Sequence, residues 1–305
     1  MIAMPNARCR RAALAIVALA LLPLTASATF AQERATEGAD QDGESLLTMA
    51  KEHMGRFEMR RARGDEEVKL YPRPLLTYGD SARSNKDGTL WAFGDTGRPL
   101  AILELYQGNE TNTRWTHAVT LTGNVTVTMK TPVAAVWKPA ATQIEPVAFA
   151  GAEPPLDREQ RRLRQIKELS RKFTAHEFWD PENSRFEMRL LAQPVHRYSD
   201  AESGIHDGAV FILAHGTNPE VVVLIEALGK TLDTARWHYS LARLGSAELH
   251  VELDGKEVWK QGRTPGVVGQ PIDPYWLFLT PREAPPADTK TAPPADNKPV
   301  PAEKK

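Results

Sequence analysis

The chain has almost no cysteine. Cys9 is the only one, and it precedes the first apolar run. The part after that run therefore holds no disulfide, no thiol nucleophile and no cysteine-ligated metal. Phosphate-binding G-x-G-x-x-G and Walker loops are missing, as is the G-x-S-x-G elbow of serine hydrolases. His176-Glu177 opens like a zinc-protease helix, but Asp180 stands where the second histidine would be. An excess of one charge is missing too. The 38 Lys and Arg face 39 Asp and Glu, so the basic footprint of a nucleic-acid binder is excluded. From these absences the sequence predicts no catalytic residue, no metal site and no cofactor.

Both ends depart from globular composition. Arg8, Arg10 and Arg11 precede an apolar run from Ala12 to Leu24, and small residues follow at Ala26-Ser27-Ala28 and Ala31. That order of parts predicts a signal peptide over 1–31, cleaved after Ala28 or Ala31. The run is shorter than the ~20 residues of a spanning helix. Its removal takes away three arginines and no acid, moving the formal charge from −1 to −4. Residues 283–305 repeat Pro, Ala, Lys and Asp, with Val300 the only large apolar side chain. Such a segment cannot offset its chain entropy by burial, so a disordered tail is expected there and a shorter disordered leader over 32–42.

What is present is internal similarity. Arg56-Phe57-Glu58-Met59-Arg60 recurs as Arg185-Phe186-Glu187-Met188-Arg189, a shift of 129. At a shift of 120, Pro74, Tyr78, Asp80, Asp87-Gly88 and Pro99 match Pro194, Tyr198, Asp200, Asp207-Gly208 and Pro219. At a shift of 122, Glu104, Arg114-Trp115, Gly123 and Val136-Trp137-Lys138 match Glu226, Arg236-Trp237, Gly245 and Val258-Trp259-Lys260. The sequence thus predicts a duplication, with repeat unit 1 over 43–150 and unit 2 over 151–282. On the pentapeptides, unit 1 carries nine extra residues near Arg61–Leu70.

The unit reads as mostly β. Ala209–Ala214 and Val221–Ile225 are continuous apolar runs around a turn, which implies strands buried on both faces. Leu249, Val251 and Leu253 alternate with Glu248, His250 and Glu252, which implies one wet face. Leu163, Ile166, Leu169 and Phe173 recur at helical spacing, predicting an amphipathic helix over 156–175. The expected fold class is α+β: two tandem repeats, each a helix followed by about six antiparallel β-strands, related by a pseudo-twofold axis.

Glu104 and Glu226 each lie ten residues before an arginine, Arg114 and Arg236. A hairpin of that length predicts a cross-strand ion pair in each unit, covered by Trp115 and Trp237. An adjacent arginine depresses a carboxyl pKa, which argues against a general acid there. Trp137 and Trp259 are expected beside Trp115 and Trp237 as repeat-equivalent core. The matched Asp residues read as turn formers. The arginines and lysines of 158–172 read as a solvated face over a core-packed helix. Contact with an anionic membrane surface is the alternative.

The phrases Asp207-Gly208-Ala209-Val210-Phe211, Gly216-Thr217-Asn218-Pro219-Glu220-Val221, Arg236-Trp237 and Trp259 resemble an uncharacterised family of exported proteins of planctomycete-type bacteria. The resemblance covers most of 45–280 and implies export and this architecture, with no activity attached. The functional expectation is an exported, periplasmic or extracellular, non-enzymatic protein that binds a ligand or partner in the cell envelope. The alternatives are a hydrolase acting on an envelope polymer and a structural component of the envelope.

Overall fold

The structure, a computed structural model, describes residues 46–80, 85–94, 96–107, 113–140, 144–264 and 271–282. The expected signal peptide, leader and tail lie outside the described residues, as do the side chains of Asp80 and Asp87.

Residues 46–54 form helix α1. Strands β1 (Glu58–Arg61), β2 (Glu67–Val68), β3 (Leu76–Asp80), β4 (Asn85–Phe93), β5 (Ala101–Gln107), β6 (Arg114–Leu121), β7 (Val127–Lys130), β8 (Val136–Trp137) and β9 (Val147–Ala148) follow. Helix α2 (Glu159–Ser170) opens the second half. It leads to β10 (Phe173–Phe178), β11 (Phe186–Leu190), β12 (His196–Asp200), β13 (Ile205–His215), β14 (Asn218–Leu228) and β15 (Arg236–Arg243). The chain then runs through β16 (Glu248–Leu253), β17 (Lys256–Gln261) and β18 (Tyr275–Pro281). Among the described residues the fold is mostly antiparallel β-sheet with two α-helices. Helix α2 is shorter than the predicted 156–175, because Phe173 reaches the core from the start of β10 instead.

Three sheets form. The first is β2-β1-β7-β8, the second β18-β6-β5-β4-β3, and the third β17-β16-β10-β11-β13-β14-β15-β9 with β12 on β13. Alternation within the apolar strands explains the layering. Trp91, Leu103 and Leu105 turn one way, into a core with Met54 of α1 and Met59 of β1. Phe211, Val223 and Ile225 turn into a core with Ile166 and Leu169 of α2. The opposite faces meet each other, with Leu90 and Ile102 packed among Val210, Ile212, Val222 and Leu224. Strands buried on both faces follow from these continuous apolar runs, each such side chain contributing roughly 1.5–3 kcal/mol.

Ladder registers run in parallel in the two halves. Met59↔Met129 and Met129↔Trp137 stand beside Ala175↔Val251 and Val251↔Trp259. Thr89↔Leu105 stands beside Ala209↔Ile225, and Gln107↔Trp115 beside Ala227↔Trp237. The bridge Leu70↔Phe93 has the counterpart Leu190↔Leu213. Each half also closes the other's sheet. Strand β9, after the first half, pairs with β15, and β18, after the second, pairs with β6.

The identical pentapeptides do not share a place. The first contributes β1, which pairs with β7, whereas the second contributes β11, which pairs with β10 and β13. By register the counterpart of Met59 is Ala175, and that of Met188 is Val68. The longer connection therefore belongs to the second half, between Ala175 and Met188, and the nine extra residues expected near Arg61–Leu70 are not there. Glu-Met-Arg puts one apolar side chain inward between two charged ones outward, so it suits either strand of such a hairpin.

Candidate functional site

The layer between the second and third sheets is apolar at its centre and polar towards two ends. Both ends are built on one backbone pattern. Thr122 and Gly123 donate their amides to the Leu100 carbonyl, while Leu244 and Gly245 donate theirs to the Glu220 carbonyl. Arg98 and Asn218 occupy matching places just before Pro99 and Pro219.

At the first end Arg98 crosses to the second half. Its Nε donates to Glu226 Oε1 at 2.7 Å and its Nη2 to Oε2 at 2.5 Å. The pair is nearly sealed, with side chains 10% and 2% exposed. Tyr198 donates its hydroxyl to the same carboxylate at 2.8 Å. It reaches there by lying across Gly208, where a Cβ would stand 2.5 Å from its ring. Burial, then the Glu226 charge, push the Tyr198 pKa well up. Burial works against the Arg98 charge, and Glu226 more than restores it, so the Arg98 pKa is raised. A groove lined largely by surface loops, including Thr96, Asp200 and Lys230, runs beside this pair.

At the second end Tyr78 lies across Gly88 and donates its hydroxyl to Glu104. Burial, then Glu104, push its pKa well up. Asn218 Nδ2 donates to Glu220 Oε1 at 2.6 Å. Gly245 backs directly onto that carboxylate and leaves no room for a Cβ. Tyr275 of β18 lies under the Arg243 guanidinium, 5.0 Å from the ring centre. Its pKa is pushed well up by burial, then by Glu104 and Tyr106, with Arg243 opposing. Glu104, Asn218, Glu220 and Tyr275, all buried, line a cavity of about 320 Å³ between the two halves. Arg263 and Trp179 complete its wall, and Trp179 is 43% exposed.

The expected ion pairs are corrected here. The register sets Glu226 opposite His238 and Arg236 opposite Leu228, and Glu226 pairs instead with Arg98. Arg236 donates to the Ala235 carbonyl at 2.7 Å. Glu104 stands opposite Ala118, four positions from Arg114, which lies opposite Pro281. Four strand positions span roughly 13 Å, so the two do not stand opposite each other as expected. The ladders also set Glu104 level with Leu224, and Glu226 level with Tyr106, so the two glutamates are not counterparts. Trp115, Trp137 and Trp237 are buried, and Trp259 packs against the second-half core.

Other polar centres lie apart. Fully buried Glu177 accepts from His215 Nδ1 at 2.6 Å. His176 turns to the opposite face and stacks on His250 at 4.6 Å. Asp207 receives Arg162 and Arg197, both at 2.7 Å, tying α2 to the sheet. His53, His117 and Thr280 form a buried group, His53 Nε2 lying 3.0 Å from His117 Nε2. Among the described residues no group of three or more His, Cys, Asp or Glu could hold a metal ion. Glu220, Tyr275 and Arg98 escaped the sequence reading. The available signal was the difference in residue type at Arg98/Asn218 and Leu100/Glu220, on either side of the prolines Pro99 and Pro219. Compared with known proteins, the chain matches no family model, no curated protein and no solved structure.

Proposed function

We propose that this is an exported, non-enzymatic binding protein built by tandem duplication, with its ligand held in the cavity at Glu104, Glu220 and Tyr275. The carrying observation is that four buried polar side chains border a cavity between the halves. Buried carboxylates are costly for a fold to keep, and an apolar residue serves at the matching place, where Leu100 backs onto Gly123 as Glu220 backs onto Gly245. Parallel registers and the reciprocal closure by β9 and β18 support the duplication and its pseudo-twofold arrangement. Export rests on the arginine, apolar and small-residue order of 1–31. No described helix is long and apolar enough to cross a membrane. The apolar side of α2 is spent on the core and Arg162 on Asp207, which weighs against a membrane-surface role for that helix.

The test is a small-molecule library screened by thermal shift against the chain from Gln32 and its Ser246→Trp variant, whose indole would fill the cavity. Ligands that raise Tm in the parent lose that effect in the variant. Ligands that keep it in the variant place the site elsewhere and overturn the proposal.

A second reading, a hydrolase of an envelope polymer, draws on the Glu177–His215 contact, since a buried carboxylate that orients a half-buried imidazole is part of an acid–base machine. Polymer hydrolysis that disappears in His215→Ala would install that reading in place of binding. Absence of hydrolysis by the parent chain removes it.

A further inference from the structure

Resting on the binding cavity above, we propose that its ligand is a neutral saccharide, one or two sugar rings long, stacked on Trp179. The described residues with large apolar side chains on the surface include one aromatic, Trp179, and it stands at this cavity. An indole face offers apolar area at low entropic cost to the C–H face of a pyranose. The ring does not stand alone. Phe186 lies 5.6 Å from it, tilted by 36°, and stacks in turn on His215 at 4.9 Å, so an aromatic row leads away from the cavity.

The polar wall fits the same class. Glu104 and Glu220 accept, Arg263 donates, and Asn218 does both. These are planar groups able to make paired hydrogen bonds, which suits adjacent hydroxyls. The mixed charge of the wall weighs against strongly charged competitors. A phosphate or polycarboxylate would meet the carboxylates of Glu104 and Glu220, and a polycation would meet Arg263, with Arg243 held behind Tyr275. About 320 Å³ lies at the small end of ligand cavities, which limits the bound part to a short chain end.

The experiment titrates the chain from Gln32 with maltotriose, cellotriose and chitotriose by calorimetry and tryptophan fluorescence. At least one is expected to bind with a Kd between about 1 μM and 1 mM. Trp179→Ala weakens it about tenfold or more, Trp179→Phe restores most of the loss, and Ser246→Trp abolishes it. Circular dichroism shows each variant folded. A sugar that binds Trp179→Ala as tightly as the parent overturns the stacking role. If no sugar binds while a different library compound loses binding in Ser246→Trp, the saccharide class falls and the binding cavity stands. If Ser246→Trp changes the binding of no ligand at all, the cavity falls with it.

Discussion

The turn that carries Leu100 and the turn that carries Glu220 use the same two amide hydrogen bonds, yet they end in different chemistry. In the first, Arg98 reaches across the sheets and neutralises Glu226. In the second, the matching Asn218 stays within its own half and holds Glu220, and both side chains border a cavity. The same tyrosine-over-glycine contact serves both ends, Tyr198 on Gly208 and Tyr78 on Gly88. Two turns with one hydrogen-bond pattern therefore differ in chemistry through the few side chains that differ between them, because a side chain's partner depends on what the facing sheet presents.

The largest break in this comparison should come from Arg98→Ala. It strands a carboxylate that is 2% exposed, and a cost of about 3–5 kcal/mol in urea denaturation is expected. Asn218→Ala should cost markedly less, since it removes a neutral donor. Equal costs would mean that the Arg98–Glu226 contact does not hold the halves together.

Acid stability separates the two halves next. His117 and Tyr239 hold matching places on β6 and β15, beside Phe278 and Val147. Burial, then the neighbouring His53, lower the His117 pKa to about 3. An unfolded histidine titrates near 6.5. Between those values the unfolded chain takes up a proton that the native site refuses, so stability falls as pH falls from about 6.5 to about 3 and this loss ends below that. His117→Gln should flatten the stability profile in that window by about 1.4 kcal/mol per pH unit. Parallel profiles for parent and variant would show that His117 takes up its proton freely in the fold.

The smallest effect is expected at the cavity itself. Glu104→Gln keeps an acceptor for the Tyr78 hydroxyl and should change stability by less than about 1 kcal/mol. Glu226→Gln should cost more, because it leaves the Arg98 charge buried without its counterion. A reversed order would mean that the cavity end carries more of the fold's stability than the Arg98 end.

Much of the architecture was legible. The runs Ala209–Ala214 and Val221–Ile225 announced strands buried on both sides, and they are the centre of the third sheet. Trp115 stands opposite Gln107 and Trp237 opposite Ala227, and both are buried. The pentapeptides misled, since period-2 alternation fits more than one strand of a hairpin. The ten-residue spacing from Glu to Arg misled for a related reason. It sets a loop length but not the register, and the actual ladders put His238 and Ala118 opposite the two glutamates.

By itself the sequence determined which strands are apolar on both faces, that a helix lies within 156–175 and that no cysteine follows residue 9. All of these are local properties of composition and period. Only the tertiary structure decided that Glu226 answers to Arg98, 128 positions away, and that Glu104, Glu220, Tyr275 and Trp179 border one cavity. Those partners are chosen when two sheets meet face to face. The spacing of residues along one strand carries no information about which side chain the other sheet will bring to it.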